Sequence, residues 1–311
     1  MYGDRQITER QMNDYLKTPH NDDRLDVSDI RRARHDLSYT APDGSLRGFD
    51  LYYPPGSGPF PLIVNISGGA WYYGRPTSVH LGRTLHCAVA RGYAFASLAC
   101  TSSRDRKFPY QIAEAKCAIR YLRSHASALD LDAGFIANWS ASSGGHLALM
   151  AALTANDPYF DCDNDGTDCS VDAAAAIYPC IRLDATEEDF TCIGLSPLNI
   201  RSGPDCMESV FLGVPVEEAP RLCREASPLS HIRPDAPPLM LTHGTHDRVI
   251  PYTFTEEFAE RYRTVTGRDA KLVIIPGAGH SDPVFKDEKA SAAVLDFFDS
   301  VRKAKVKKTE Q

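Results

Sequence analysis

From about Arg47 onward the chain alternates short apolar runs with longer stretches whose apolar residues recur every three or four positions. The runs at 48–53, 62–66, 93–98, 135–139, 173–178, 239–242 and 272–275 are short and bounded by turn residues, which predicts strands. Helices are predicted at 80–91, 110–127, 145–155, 253–263 and 288–303. In the second of these, Ile112, Ala115, Ala118, Ile119 and Leu122 line one face at the helical period. Strand and helix taking turns predicts an α/β fold with a mostly parallel central sheet covered by helices on both faces.

Two regions break the rhythm. Residues 1–38 are polar and charged and are expected to form an N-terminal arm ahead of a main domain at 39–303, with a charged C-terminal tail at 304–311. Residues 182–228 carry Gly194, Pro197, Pro204, Gly213, Pro215 and Pro220. A loop-rich stretch of that length inside a compact domain is expected to be a lid insertion, not a second domain.

Composition narrows the classes. The 311 residues are 43% hydrophobic and 24% charged, which is ordinary soluble usage and excludes collagen-like, coiled-coil and largely disordered chains. With 34 basic against 41 acidic residues, the net charge of -7 gives no electrostatic reason to bind nucleic acid or an anionic membrane. Lys303, Lys305, Lys307 and Lys308 are expected to end a solvated helix. The opening MYGDRQITERQMNDYLK lacks the apolar core of a secretory signal. No apolar stretch approaches the roughly 18 residues of a membrane span, so a cytoplasmic protein is expected. Nine cysteines, an odd number, are expected to be reduced thiols, with Cys87, Cys100, Cys117, Cys180 and Cys192 as small core residues.

The chemistry concentrates at three places. After the strand at 135–139 comes Ser140-Ala141-Ser142-Ser143-Gly144-Gly145-His146-Leu147. A nucleophile on a sharp strand-to-helix turn needs small residues two before and two after it, which is the physical content of G-x-S-x-G. Ser142 fits, flanked by Ser140 and Gly144. Ser143, flanked by Ala141 and Gly145, fits the same sterics, and an ordinary Ser-rich helix cap would read alike. Ser142 is preferred because Gly-Gly-His-Leu should open the helix. After the strand at 62–66, Ser67-Gly68-Gly69-Ala70-Trp71 forms a glycine turn. The N–H groups of Gly69, Ala70 and Ser143 are candidates for an oxyanion hole; a plain tight turn is the other reading. Asp247 follows the strand at 239–242 and His280 follows the strand at 272–275, on the glycine loop Gly277-Ala278-Gly279-His280. In an open parallel sheet the loops carrying Ser142, Asp247 and His280 emerge along one edge. His243 and His246 are expected to shape the Asp247 loop, and His146 to bond locally in the elbow helix.

With these pieces in place the sequence resembles the α/β-hydrolase esterases and lipases of the hormone-sensitive-lipase-like group and the bacterial feruloyl and acetyl esterases. The resemblance runs from about Asp50 to Val301. It rests on Ser67-Gly68-Gly69-Ala70-Trp71, Lys107-Phe108-Pro109, Ser142-Ser143-Gly144-Gly145-His146-Leu147, Ala226-Ser227-Pro228-Leu229, Pro237-Pro238, His243-Gly244-Thr245-His246-Asp247 and Gly277-Ala278-Gly279-His280. Two positions depart from the family: Ser67 replaces the histidine of its H-G-G-G-W loop, and Ser140 replaces the first elbow glycine.

The resemblance implies an α/β-hydrolase fold and a serine esterase in which His280 takes the proton of Ser142 and Asp247 orients the imidazole, through an acyl-enzyme. It implies no cofactor and no metal. A short acyl ester, such as an acetyl group on a carbohydrate, is the expected substrate, and a homo-oligomer is compatible with the chain. Trp71, Tyr72 and Tyr73 either stack on a sugar or aryl group or pack as core. Two other readings stand beside this one: an arylformamidase-type amide hydrolase, and a catalytically silent hydrolase fold that binds a ligand. Asp161-Cys162-Asp163-Asn164-Asp165-Gly166, with Asp172 twelfth, begins like a calcium loop but is better read as an acidic surface loop. Cys162 and Cys169 are positioned to clip it under oxidising conditions.

Overall fold

In a computed structural model, which describes residues 24–72, 75–78, 81–155, 157–161 and 166–309, the apolar runs become strands of one eight-stranded sheet. They are β1 (Ala33–Thr40), β2 (Leu46–Tyr52), β3 (Phe60–Ile66), β4 (Ala94–Leu98), β5 (Leu131–Ala141), β6 (Ala173–Ile177), β7 (Leu239–Gly244) and β8 (Lys271–Ile275). Their spatial order is β1-β2-β4-β3-β5-β6-β7-β8. β2 runs antiparallel to β1 and β4, and every pairing from β4 across to β8 is parallel. This is the expected α/β-hydrolase fold.

Alternation along the strands sorts residues between two cores, because successive side chains point to opposite faces. Leu62, Val64, Ala174, Ala176, Leu239 and Leu241 face one core, built with α2 (Tyr110–Ser124), α3 (Ser143–Leu153) and α7 (Tyr252–Thr266). Ile63, Ala173, Ala175, Ile177 and Met240 face the other, beneath α1 (Thr84–Ala90) and α8 (Glu288–Thr309). The alanines of β6 leave the room that lets α3 lie close to the sheet. From β3 the chain turns to β4 on one side and later enters β5 on the other. The crevice outside the carboxyl ends of β3 and β5 is therefore the site expected to bind a ligand.

Several boundaries differ from expectation. β1 lies within the stretch expected to be an arm, so the sheet begins before residue 39; residues 1–23 lie outside the described ones. Polar Ala33–Thr40 gives no strand signal because it is an edge strand with a register shift between Arg34 and Leu37. α8 continues to Thr309, through the expected tail. The insertion at 182–228 holds three short helices, α4 (Glu187–Thr191), α5 (Met207–Leu212) and α6 (Pro220–Glu225). α4 opens with a capping box between Thr186 and Asp189. Cys117 is disulfide-bonded, unlike the reduced state expected of it, and Cys192 is exposed instead of core. Cys169 is a free thiol bonded to the Ala155 carbonyl at 3.2 Å, so the Cys162–Cys169 clip is not formed. No described helix is long and apolar enough to cross a membrane.

Candidate active site

Ser142 sits alone between β5 and α3, with φ 57° and ψ -131°. That conformation is strained for a residue with a Cβ, and such strain persists only where surrounding packing enforces it. The packing is visible at two glycines. A Cβ on Gly144 would lie 2.2 Å from the Ile66 carbonyl oxygen, and one on Gly68 would lie 2.7 Å from the Ala141 carbonyl oxygen. The elbow and the loop after β3 are thus in backbone contact.

Ser140 explains its departure from glycine. The β3–β5 pairing ends at Val64 and Asn138, and beyond it the Ile66 N–H donates to the Ser140 hydroxyl at 2.8 Å. The Asn65 side-chain amide donates to the Trp139 carbonyl at 2.8 Å. Side chains therefore continue the ladder where the two backbones separate.

Ser142, His280 and Asp247, expected together, lie in one hydrogen-bonded line. The Ser142 Oγ is 3.0 Å from His280 Nε2, and His280 Nδ1 is 2.7 Å from Asp247 Oδ2. A carboxylate only accepts, so Nδ1 carries the proton and Nε2 is left to accept from the serine hydroxyl. Ser143, the rival nucleophile, is buried, and its Oγ accepts from the Trp71 N–H at 3.2 Å.

Asp247 is buried, and its second oxygen accepts the N–H groups of Val249 at 2.8 Å and Ile250 at 2.9 Å. Burial alone would push its carboxyl up. The neighbouring His280 and hydrogen bonds from His243 and His280 more than offset that and hold it well below the usual carboxylate range. His243 is fully buried, with Nε2 3.1 Å from both Asp247 Oδ2 and the Ile250 carbonyl and Nδ1 2.7 Å from the Thr255 hydroxyl. Sequence reasoning gave His243 a loop-shaping role; the structure makes it a direct donor to the carboxylate. His246 is exposed, and its backbone N–H ties the Asp247 loop to the His280 loop through Ala278 O at 3.0 Å.

The turn after β3 lies against the elbow. Gly69, Ala70 and Trp71 take φ values of 117°, 54° and 59° in succession. Among the described residues no protein acceptor takes the N–H of Gly69, Ala70 or Ser143. Ser67, in place of the family histidine, still braces the turn: its hydroxyl lies 2.6 Å from the Arg75 carbonyl and 2.8 Å from the Leu98 carbonyl.

Trp71 is packed as wall. Its ring stacks on Phe211 of the insertion at 4.5 Å and 16°, and its indole N–H donates to His146 Nδ1 at 3.2 Å. His146 Nε2 donates in turn to the Ala226 carbonyl at 2.7 Å. This buried histidine therefore joins the glycine turn after β3, the elbow helix and the insertion, and burial pushes its imidazole down to about 4. Tyr72 is buried too, with the Arg104 guanidinium 4.9 Å from its ring centroid. Tyr73 lies outside the described residues.

The three described carboxylates of the acidic stretch at 161–172 have protein partners. Asp161 pairs with Arg120, Asp172 with Lys305 and the Ile136 N–H, and Asp168 with Ser170. Residues 162–165 of that loop lie outside the described ones. Among the described residues no group of three His, Cys, Asp or Glu side chains is arranged to hold a metal.

A family model described as BD-FAE matches residues 49–262. The curated esterase LipC of Mycobacterium tuberculosis is 32% identical over 223 residues, covering 71% of this chain and 53% of LipC. The probable carboxylic ester hydrolase LipM of the same organism is 27% identical over 292 residues, covering 92% of this chain and 62% of LipM. The chain thus spans between about half and two thirds of the length of these relatives. A solved structure, a truncated form of a carbohydrate esterase from gut microbiota, superposes with a TM-score of 0.75 at 24% identity, covering 90% of this chain and 99% of that one.

Proposed function

We propose, from the premise that this chain belongs to the BD-FAE family of α/β-hydrolases, that it is a serine carboxylic-ester hydrolase acting through Ser142, His280 and Asp247. The observation that carries this reading is the continuous line from Ser142 Oγ through His280 to the buried Asp247, with the Ser142 backbone strained into the elbow. The esterase relatives support the same reaction class.

His280 Nε2 takes the serine proton as Oγ attacks the ester carbonyl. The Gly69, Ala70 and Ser143 N–H groups receive the developing oxyanion, fixed in place before charge appears. Asp247 holds the imidazole tautomer and offsets the imidazolium charge. His280 then protonates the leaving alcohol, and water repeats the sequence on the acyl-enzyme. The insertion at 182–228, stacked on Trp71 through Phe211, is assigned the role of a lid. The substrate we assign is a short acyl ester, in the first instance an acetyl group on a carbohydrate, on the strength of the resemblance to the bacterial feruloyl and acetyl esterases.

Hydrolysis of p-nitrophenyl acetate tests the reaction class. The wild-type protein is expected to turn it over, and Ser142→Ala to lose about ten-thousand-fold or more in kcat with an unchanged circular dichroism spectrum. Wild-type activity in that variant refutes the assignment. A series of acetyl-, butyryl- and feruloyl-sugars then ranks the substrate, and a preference for long acyl chains refutes the short-acyl reading.

A further inference from the structure

We propose that Tyr178 is a positioning residue for His280, holding the plane of the imidazole so that it meets Ser142 and Asp247 together. The inference rests on the triad reading above. The N–H and the lone pair of an imidazole lie in its ring plane, so the hydrogen bonds to Ser142 Oγ at Nε2 and to Asp247 at Nδ1 act along that plane. They fix the ring along that plane and leave it free to tilt about the line joining the two nitrogens. The loop backbone is held at Gly277 and Ala278, by Thr245 and His246, and this anchors the histidine's chain without setting the tilt of its ring. A surface packed against the ring is what resists tilting.

Tyr178 supplies that surface. It follows the end of β6, and its ring centroid lies 4.6 Å from that of His280 at an interplanar angle of 58°. The ring is itself immobilised. It is 2% exposed and meets Phe285 edge-on at 5.0 Å, and the side chain of Ser281, next to the histidine, lies beside its phenol. Its backbone takes φ 37°, a left-handed value rare for an aromatic residue. The N–H is pinned to the Thr242 carbonyl at 2.6 Å. Strain of this kind is retained where the structure needs a side chain aimed in one direction. Ser281 is left-handed as well, with φ 62°, so two strained residues on separate loops stand together beside the imidazole. The ring also lies within the roughly 6 Å at which an aromatic attracts a cation, so its effect should appear as His280 becomes an imidazolium in the transition state.

The test compares wild type with Tyr178→Leu, Tyr178→Phe and Ser281→Ala, by steady-state kinetics and by the low-field proton NMR signal of the His280 Nδ1 proton shared with Asp247. Tyr178→Leu is expected to lower kcat about tenfold with a smaller change in KM, and to weaken or broaden the low-field signal. Tyr178→Phe, which keeps the ring, is expected to recover most of both. Ser281→Ala, at an exposed position, removes the side chain beside the phenol without disturbing the core and is expected to broaden the signal. A folded Tyr178→Leu with wild-type kcat and signal overturns the proposal. If that variant does not fold, an unchanged signal in Ser281→Ala overturns it. The NMR readout needs no turnover: loss of the signal in Tyr178→Leu in a protein that hydrolyses no ester upholds the positioning role and removes the esterase reading.

Discussion

Acidification should loosen the clamp that His146 makes between the glycine turn after β3 and the insertion. The imidazole is fully buried, accepts from the Trp71 indole at Nδ1 and donates to the Ala226 carbonyl at Nε2. A second proton at Nδ1 would face the indole N–H, donor against donor. Burial pushes the folded-state value down to about 4, against about 6.5 in an unfolded chain. The unfolded state therefore binds more protons between these values, and stability falls as pH falls through that window. Taking 1.36 kcal/mol per unit, His146 removes about 2 kcal/mol between about pH 7.5 and about pH 5, a sizeable part of a typical 5–15 kcal/mol. The assay is urea unfolding at the two pH values for wild type and His146→Gln. Glutamine offers one donor and one acceptor but does not titrate, so its loss on acidification should be smaller by that amount. Equal losses in the two proteins would refute the linkage to His146.

Two further substitutions probe the elbow and the carboxylate. Ser140→Gly restores the family's usual residue but leaves the Ile66 N–H without its hydroxyl acceptor; a loss of about 1–3 kcal/mol is expected in urea unfolding, and an unchanged midpoint would show that the hydroxyl carries nothing. His243→Phe keeps an aromatic ring, a slightly larger one, but removes a donor from Asp247; kcat is expected to fall about tenfold or more, with Ser142→Ala remaining the lower limit.

The strands and helices that position the site were legible wherever burial on both faces made apolar runs continuous, as in Leu62-Ile63-Val64 and the alanines of β6. β1 was not, because an exposed edge strand with Asp36 at φ 55° carries no alternation to read. The three side chains of the relay were legible because each follows a strand at the same sheet edge and brings glycine or a strained turn with it. The choice between Ser142 and Ser143 was not fixed by sterics; it follows from which hydroxyl reaches His280 and which accepts from Trp71. Trp71 showed only an aromatic beside a glycine turn. Its stacking on Phe211, about 140 residues later, depends on how the insertion folds back, and no local pattern encodes that. Tyr178 was hidden for a similar reason, since a tyrosine ending an apolar strand reads as core, and its partner His280 is remote in sequence.

Covalent labelling addresses the site most directly. The protein is incubated with a fluorophosphonate, digested, and the adduct mapped by mass spectrometry, with Ser142→Ala and Ser143→Ala alongside. A single adduct on Ser142, absent from Ser142→Ala and kept in Ser143→Ala, is the expected result. An adduct on Ser143, or none on a folded protein, would contradict the hydroxyl–imidazole–carboxylate line as the seat of the chemistry.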